Sequence, residues 1–468
     1  RYKVVTYLFV PRSLDIHAAT YPSTEFYRDL KNYVRLKTPA FSLAEIADSP
    51  QSPLGRAEEI VQRENWIKLY DIGSALITNF KFLRAILKNA LDDCLDDLKA
   101  RRRGSAALAV FHRCLSDTHR ITKAILARYR ALEPFIKVPD VDARVIRSFT
   151  LTDESISLVV EEAMVDLIKL ADQVDRAGDL RADRALLVDL VETERLYRRA
   201  RHFASVLEPQ ADKGEFLFRL SALKKFTSNV LFLRTATQRE GTVLEQILFA
   251  LAAGVSMLFA TIIAFYFQQR YGNFTFPFLL ALVVGYMFKD RIKESMRGTS
   301  SRLLRNVVYQ RRTQLTTLDG SAKLGYIRER VSFVAEEAVP VPVMTARNRN
   351  VMADLDNDGQ GETVIRYEKV VVLHRRAFHE IYRNAPGISA VKDIMRFDIR
   401  AFLRKMDEPV QRWSYLNNGT VEDLRLPKVY FLNFVHRYET LSGDRTVNVE
   451  RVRATLTRRG LVKVQTFP

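Results

Sequence analysis

The apolar and polar positions of this chain change period several times, and each change predicts an element. Tyr2 to Val10 alternates, is rich in β-branched and aromatic residues and stops at Pro11, which predicts a strand. Between Leu14 and Pro53, prolines and scattered aromatics predict irregular structure with a short helix around Thr24 to Arg35. From Gly55 to about Arg103 apolar residues step by three and four, through Trp66, Leu76, Phe80, Leu83, Leu87 and Leu91. That spacing turns one helix face to a core. Gly104 and Ser105 interrupt the pattern, and a second helix runs from Ala106 to Leu132 with Phe111, Leu115 and Ile125 inward. Ala143 to Leu151 reads as a strand, and Asp153 to Ala177, Leu180 to Leu207 and Lys213 to Leu233 read as three more helices. The region is therefore expected to be an α-helical bundle, each helix burying one stripe.

A different pattern follows. Ile247 to Phe267 is an uncharged apolar run, and about 20 such residues are what a helix needs to cross roughly 30 Å of hydrocarbon. Phe274 to Phe288 is shorter and contains Pro277; it reads as a second, short span, with a re-entrant segment as the alternative. Lys224, Lys225, Arg234 and Arg239 precede the first run, and Lys289, Arg291, Lys293, Arg297, Arg302 and Arg305 follow the second, while the connecting turn holds only Arg270. The bias of basic residues places both ends of this two-span transmembrane helical hairpin in the cytoplasm, at the inner membrane if the cell is bacterial. Ala253, Ser256, Ala260 and Ala264 share one face of the first run, and Ala281 and Gly285 sit four apart in the second. Small residues there let two helices approach closely, either each other or those of a second copy in a homo-oligomer.

Beyond the hairpin, Arg297 to Arg312 is basic and amphipathic and is expected to lie against anionic lipid headgroups, worth about 1 kcal/mol per basic residue near the surface. From about Val331 strands return: Thr363 to His374, Lys428 to Thr440, Arg445 to Thr457 and Leu461 to Phe467, with a helical region over Arg376 to Asp407. The expected fold is mainly α with an α+β C-terminal domain built on an antiparallel β-meander. Its parts are an N-terminal strand and irregular segment (1–54), free to join the C-terminal sheet; a cytoplasmic α-helical bundle (55–240); the transmembrane hairpin (241–290); a basic juxtamembrane helix (291–330); and a cytoplasmic α+β domain (331–468).

Composition adds a charge and a compartment to this picture. In 468 residues, 73 Lys and Arg against 55 Asp and Glu give a formal charge of +18, which attracts a polyanionic surface. Two cysteines, Cys94 and Cys114, make no disulfide framework and no paired metal site, in keeping with a reducing compartment.

Candidate chemistry is sparse. Asp354, Asp356, Asp358 and Glu362 stand at relative positions one, three, five and nine around Gly359, a spacing that resembles a calcium loop of the β-hairpin type, though Ile365 stands where an EF-hand needs Glu. Ca2+ is the one cofactor this suggests. Carboxylates also cluster at Asp92, Asp93, Asp96 and Asp97, and at Glu161, Glu162 and Asp166, without a glycine-rich phosphate loop beside them. His374 and His379, five apart, do not share a helix face as a zinc pair would. Basic residues are scattered without a nucleic-acid-reading motif, which argues against nucleic acid as partner. The reading that remains is a non-enzymatic, membrane-anchored scaffold or adaptor that docks a protein partner at the inner face. Two alternatives stay open: an enzyme acting on a phosphate-bearing or lipid substrate, marked by a pocket gathering residues such as Asp166, Glu194 and Arg198, and an oligomeric two-span channel.

Overall fold

The computed structural model describes the chain except residues 64–65, 69, 102–106, 176–177, 208–211, 273–274, 319, 321, 349–360, 378–387, 389, 409, 442–445 and 468. Its strands are β1 (Tyr2–Pro11), β2 (Leu30–Leu36), β3 (Arg234–Arg239), β4 (Arg311–Thr316), β5 (Lys323–Val334), β6 (Glu362–Leu373), β7 (Val391–Phe397), β8 (Val410–Asn417), β9 (Thr420–Pro427), β10 (Tyr430–Thr440), β11 (Val447–Thr457) and β12 (Gly460–Phe467). Its helices are α1 (Ser23–Asp29), α2 (Leu43–Asp48), α3 (Pro53–Gln62), α4 (Tyr70–Ala100), α5 (Ala107–Ala131), α6 (Glu133–Ile136), α7 (Ala143–Val174), α8 (Arg181–Ala200), α9 (Lys213–Ser228), α10 (Thr242–Tyr271), α11 (Phe276–Val307), α12 (Val341–Arg347) and α13 (Arg400–Leu403). They form two compact units, one from Arg1–Tyr33, Arg234–Phe378 and Ile394–Pro468, the other from Val34–Leu233 and His379–Asp393.

The first unit is built on an eight-stranded sheet in the order β12-β11-β10-β1-β6-β5-β4-β3. β1 lies inside it, antiparallel to both neighbours, so that Leu8 faces Phe434 on one side and Ile365 on the other. Its alternate residues enter two different cores. Leu8 and Val10 pack with Tyr21, Phe26, Ile365 and Leu432 on one face, while Val5, Tyr7 and Phe9 pack with Val343 of α12 and Val435 on the other. A strand buried on both faces must be apolar at nearly every position, which is what Val4 to Val10 is.

The second unit is helical, as its periodicity predicts. Ser42 and Glu45 form a capping box at α2, and Asp142 caps α7 by accepting from the Arg144 N–H at 2.7 Å. The centre holds Tyr129 stacked on Phe149, with Phe80 edge-on to both.

Several sequence expectations are corrected. Ala143 to Leu151 is helix rather than strand: Val145, Phe149, Thr152 and Ile156 are all buried at three- and four-residue steps, so the β-branched residues there follow a helical stripe. The expected juxtamembrane helix over Arg297–Arg312 is instead the end of α11, and 311–334 contains strands β4 and β5. The signal of β4 was faint because it turns only Thr313 and Leu315 inward. Of the helical region expected over Arg376 to Asp407, 376–377 are helical and 378–387 lie outside the described residues, while the part from Val391 onward holds strand β7 and the four-residue α13. The hairpin β8–β9, absent from the sequence reading, turns at Asn418 (φ 47°) and Gly419 (φ 84°), the left-handed pair a two-residue turn requires.

Candidate functional site

The feature that stands out in the first unit is the helix pair inserted between β3 and β4. Those two strands pair from Arg234–Thr316 to Arg239–Arg311, and the chain leaves β3 through Gly241 at φ +86°. A side chain at Gly241 would meet the Val308 Cγ1 at 2.6 Å, so the turn needs both the left-handed backbone and the missing Cβ. Glu240 fastens this base by an ion pair to Arg328 at 2.6 Å, whose guanidinium also lies over the Tyr309 ring. The hydrogen bond to Glu240 raises the Arg328 pKa above its usual value.

From that base α10 and α11 run antiparallel. Gly285 of α11 lies against Ile263 of α10, where an added Cβ would sit 3.5 Å from the Ile263 side chain, and Arg297 lies over the Phe249 ring at 4.7 Å. Ser256, Ala281 and Gly285 are buried between the helices, and Ala253, Ala260 and Ala264 are half-buried. Ala252, which the sequence reading passed over, is fully buried at the same contact. The Ser256 hydroxyl donates to the Ala253 carbonyl oxygen, so no polar group of this contact is left without a partner on that side chain.

Most of the remaining apolar surface of the pair is uncovered. Only 11% of the apolar window of α10 is buried, and Leu251, Leu258, Ile262, Phe265, Leu279 and Met287 are each more than half exposed. A core helix of a water-soluble unit would be covered; exposed apolar area of this extent costs about 25 cal/mol per Å2 in water and marks a surface meant for another medium or partner. Among the described residues one helix, α10, is long and apolar enough to cross a membrane. α11 has the length, but its apolar stretch ends at Lys289, followed by Asp290, Arg291 and Lys293. The basic residues expected at the membrane surface all belong to α11: the Lys289 ammonium lies 3.7 Å from the Tyr286 ring centre, Arg291 is exposed, Lys293 is half-buried, and Arg302 and Arg305 lie in the helix's last turns.

No family model, curated protein or solved structure matches this chain.

The other sequence candidates disperse. Asp354, Asp356 and Asp358 lie outside the described residues, while Glu362 opens β6 with both carboxylate oxygens accepting from buried Arg347, at 2.7 and 2.9 Å. Among the described residues no group of three or more His, Cys, Asp and Glu converges as a metal site. His379 is likewise outside them. Asp92, Asp96 and Asp97 form exposed pairs along α4 with Lys88, Lys99 and Arg101, and Asp93 accepts from Asn89. Glu194 is held by Arg130 at 2.6 Å, Arg198 by Glu161 and the Ser157 hydroxyl, and Asp166 by Lys169 at 2.9 Å, so that trio does not share one pocket.

Two arrangements escaped the sequence. The Cys94 and Cys114 sulfurs lie 3.2 Å apart across α4 and α5; the hydrogen bond between them lowers the Cys94 pKa and raises that of Cys114. On the helical unit, Glu161, Glu162 and Asp166 border a cavity of about 490 Å3 whose wall also includes Arg84. The three carboxylates are a local cluster on α7, but the cavity and the cysteine pair have no local signature, because each joins residues from separate helices.

Proposed function

We propose that the chain is a membrane-anchored cytoplasmic scaffold that holds a protein partner at the inner face of the membrane. The observation that carries this is the uncovered apolar helix pair. In this reading α10 crosses the bilayer and α11 returns as a short span of about 20 Å, from Phe276 to Phe288 at 1.5 Å per residue. Snorkelling of Lys289, Arg291 and Lys293 to the headgroups meets the shortfall, and both ends stay cytoplasmic. Anionic lipid headgroups pair with those bases. The docking element is hairpin β8–β9, whose sixteen residues are all exposed, including Trp413, Leu416, Val421 and Leu424. A two-stranded arm that leaves large apolar side chains uncovered among polar ones is suited to burial against another protein.

The test has two arms. Alkaline washing of membranes should leave the full chain in the pellet, with both units digested when protease is added to the cytoplasmic face; release into the wash, or protection of the sheet unit, sinks the anchoring and the topology. Chemical crosslinking in intact membranes should capture a stoichiometric partner that a Leu416→Asp, Val421→Asp variant no longer captures, while equal capture by that variant removes the hairpin from the reading.

A further inference from the structure

The cavity of about 490 Å3 on the helical unit lies where α4, α7, α8 and α9 meet, a size ordinary for a small-molecule site. Its apolar lining includes Val159, Phe216, Leu220 and Leu223, and its charged lining holds Lys88, Lys169, Arg195 and Lys224 together with three carboxylates. These charges largely engage each other: Glu161 pairs with Arg195 and Arg198, Glu162 with Lys88 at 3.4 Å, and Asp166 with Lys169.

Arg84, on the wall of this cavity, differs from the other buried arginines of the bundle. Arg130 has Glu194 and Asp153, and Arg198 has Glu161. Arg84 is only 9% exposed, yet its Nε donates to the Ser155 hydroxyl at 3.1 Å and no carboxylate among the described residues forms an ion pair with it. A buried charge that no carboxylate touches, with Glu162 and Asp92 acting on it only from a distance, is a standing destabilisation. It is offset when an anion arrives, and a guanidinium is shaped to hold the oxygens of a phosphate or carboxylate in pairs. The apolar lining of the cavity then defines what the anion is attached to.

We propose that this cavity binds a single-chain anionic amphiphile, its oxyanionic head on Arg84 and its acyl chain along Val159, Leu220 and Leu223. The reading does not depend on the membrane anchor. Head and tail contribute together, so neither inorganic phosphate nor a neutral monoacylglycerol should bind comparably.

The experiment uses the full chain in nonionic detergent with 1-oleoyl-glycerol-3-phosphate, inorganic phosphate and monoolein as probes, read by native mass spectrometry and thermal melting. The lysophosphatidate is expected to bind at one site and raise the melting temperature. Arg84→Met, close in volume and uncharged, should weaken that binding about tenfold or more, the worth of a charged hydrogen bond, and melt higher than the native chain without ligand because the unpaired charge is gone. Leu220→Trp, which fills the cavity and leaves Arg84 in place, should also block the lysophosphatidate. Equal binding by the native chain and Arg84→Met overturns the site, as does a lower melting temperature for unliganded Arg84→Met. Phosphate or monoolein binding as tightly as the lysophosphatidate overturns the amphiphile.

Discussion

Glu368 illustrates how much a single residue of the sheet depends on its neighbours across strands. Its carboxylate accepts from the Tyr309 hydroxyl at 2.8 Å and pairs with Arg330 at 2.8 Å, Arg366 at 2.9 Å and Lys3 at 3.0 Å. Burial by itself would raise its pKa, but the hydrogen bonds from Tyr309, Arg330 and Lys3 outweigh burial and bring it down to about 2. Because the folded value lies below the unfolded one, the stabilisation is complete above about pH 4.5 and is lost as the pH falls towards 2. The shift corresponds to roughly 3 kcal/mol. Glu368→Gln is therefore expected to lower stability at pH 7 and to flatten the acid limb of the stability curve, measured by urea unfolding from pH 7 to pH 2.5; an unchanged acid limb contradicts this role. None of it was legible in the sequence, where Glu368 is one polar position within an alternating strand. Glu362 drew attention there as part of an acidic turn, yet in the fold it serves Arg347, a partner fifteen residues away that no loop motif names.

At the scale of elements, pattern length decided what could be read. α10 was plain because its apolar run is long and uninterrupted, whereas the six-residue strands β3 and β4 each offer too few inward positions for an alternation to stand out. Hairpin β8–β9 did carry a local signal, Asn417-Asn418-Gly419 between apolar-bearing strands, and reading that turn would have located it. Leu258, 61% exposed on the outer face of α10, gives the element its test. Leu258→Arg adds about 2.5 to 3.5 kcal/mol of insertion cost at the middle of a span and should shift the chain from the membrane pellet towards the soluble or degraded fraction. On a helix that stays in water the same change is close to neutral or improves solubility, so an unchanged or better-behaved soluble protein would refute the span.

The whole molecule joins residues that the chain keeps far apart. The sheet unit is assembled from three stretches, and its inner strand β1 pairs Tyr2 with Thr440 while α10 and α11 rise between β3 and β4. Long-range pairing of this kind makes folding slow and leaves β1 indispensable to the sheet. Tyr7→Pro removes an N–H from a strand paired on both sides and should abolish hydrogen-exchange protection in β6 and β10 while α4 and α7 keep theirs; retained protection in β6 and β10 would mean the sheet closes without β1. By itself the sequence determined the long helices of the bundle, the strands β1, β6, β10, β11 and β12, and the apolar run, since those follow from periods of 3.6 and 2 and from a run without charge. Only the tertiary structure decided that β1 is an inner strand, that no carboxylate among the described residues touches Arg84, and that α10 and α11 cover each other on one narrow face. Those properties depend on which distant residues become neighbours, and a local pattern records a residue's own preference for burial without naming what will bury it.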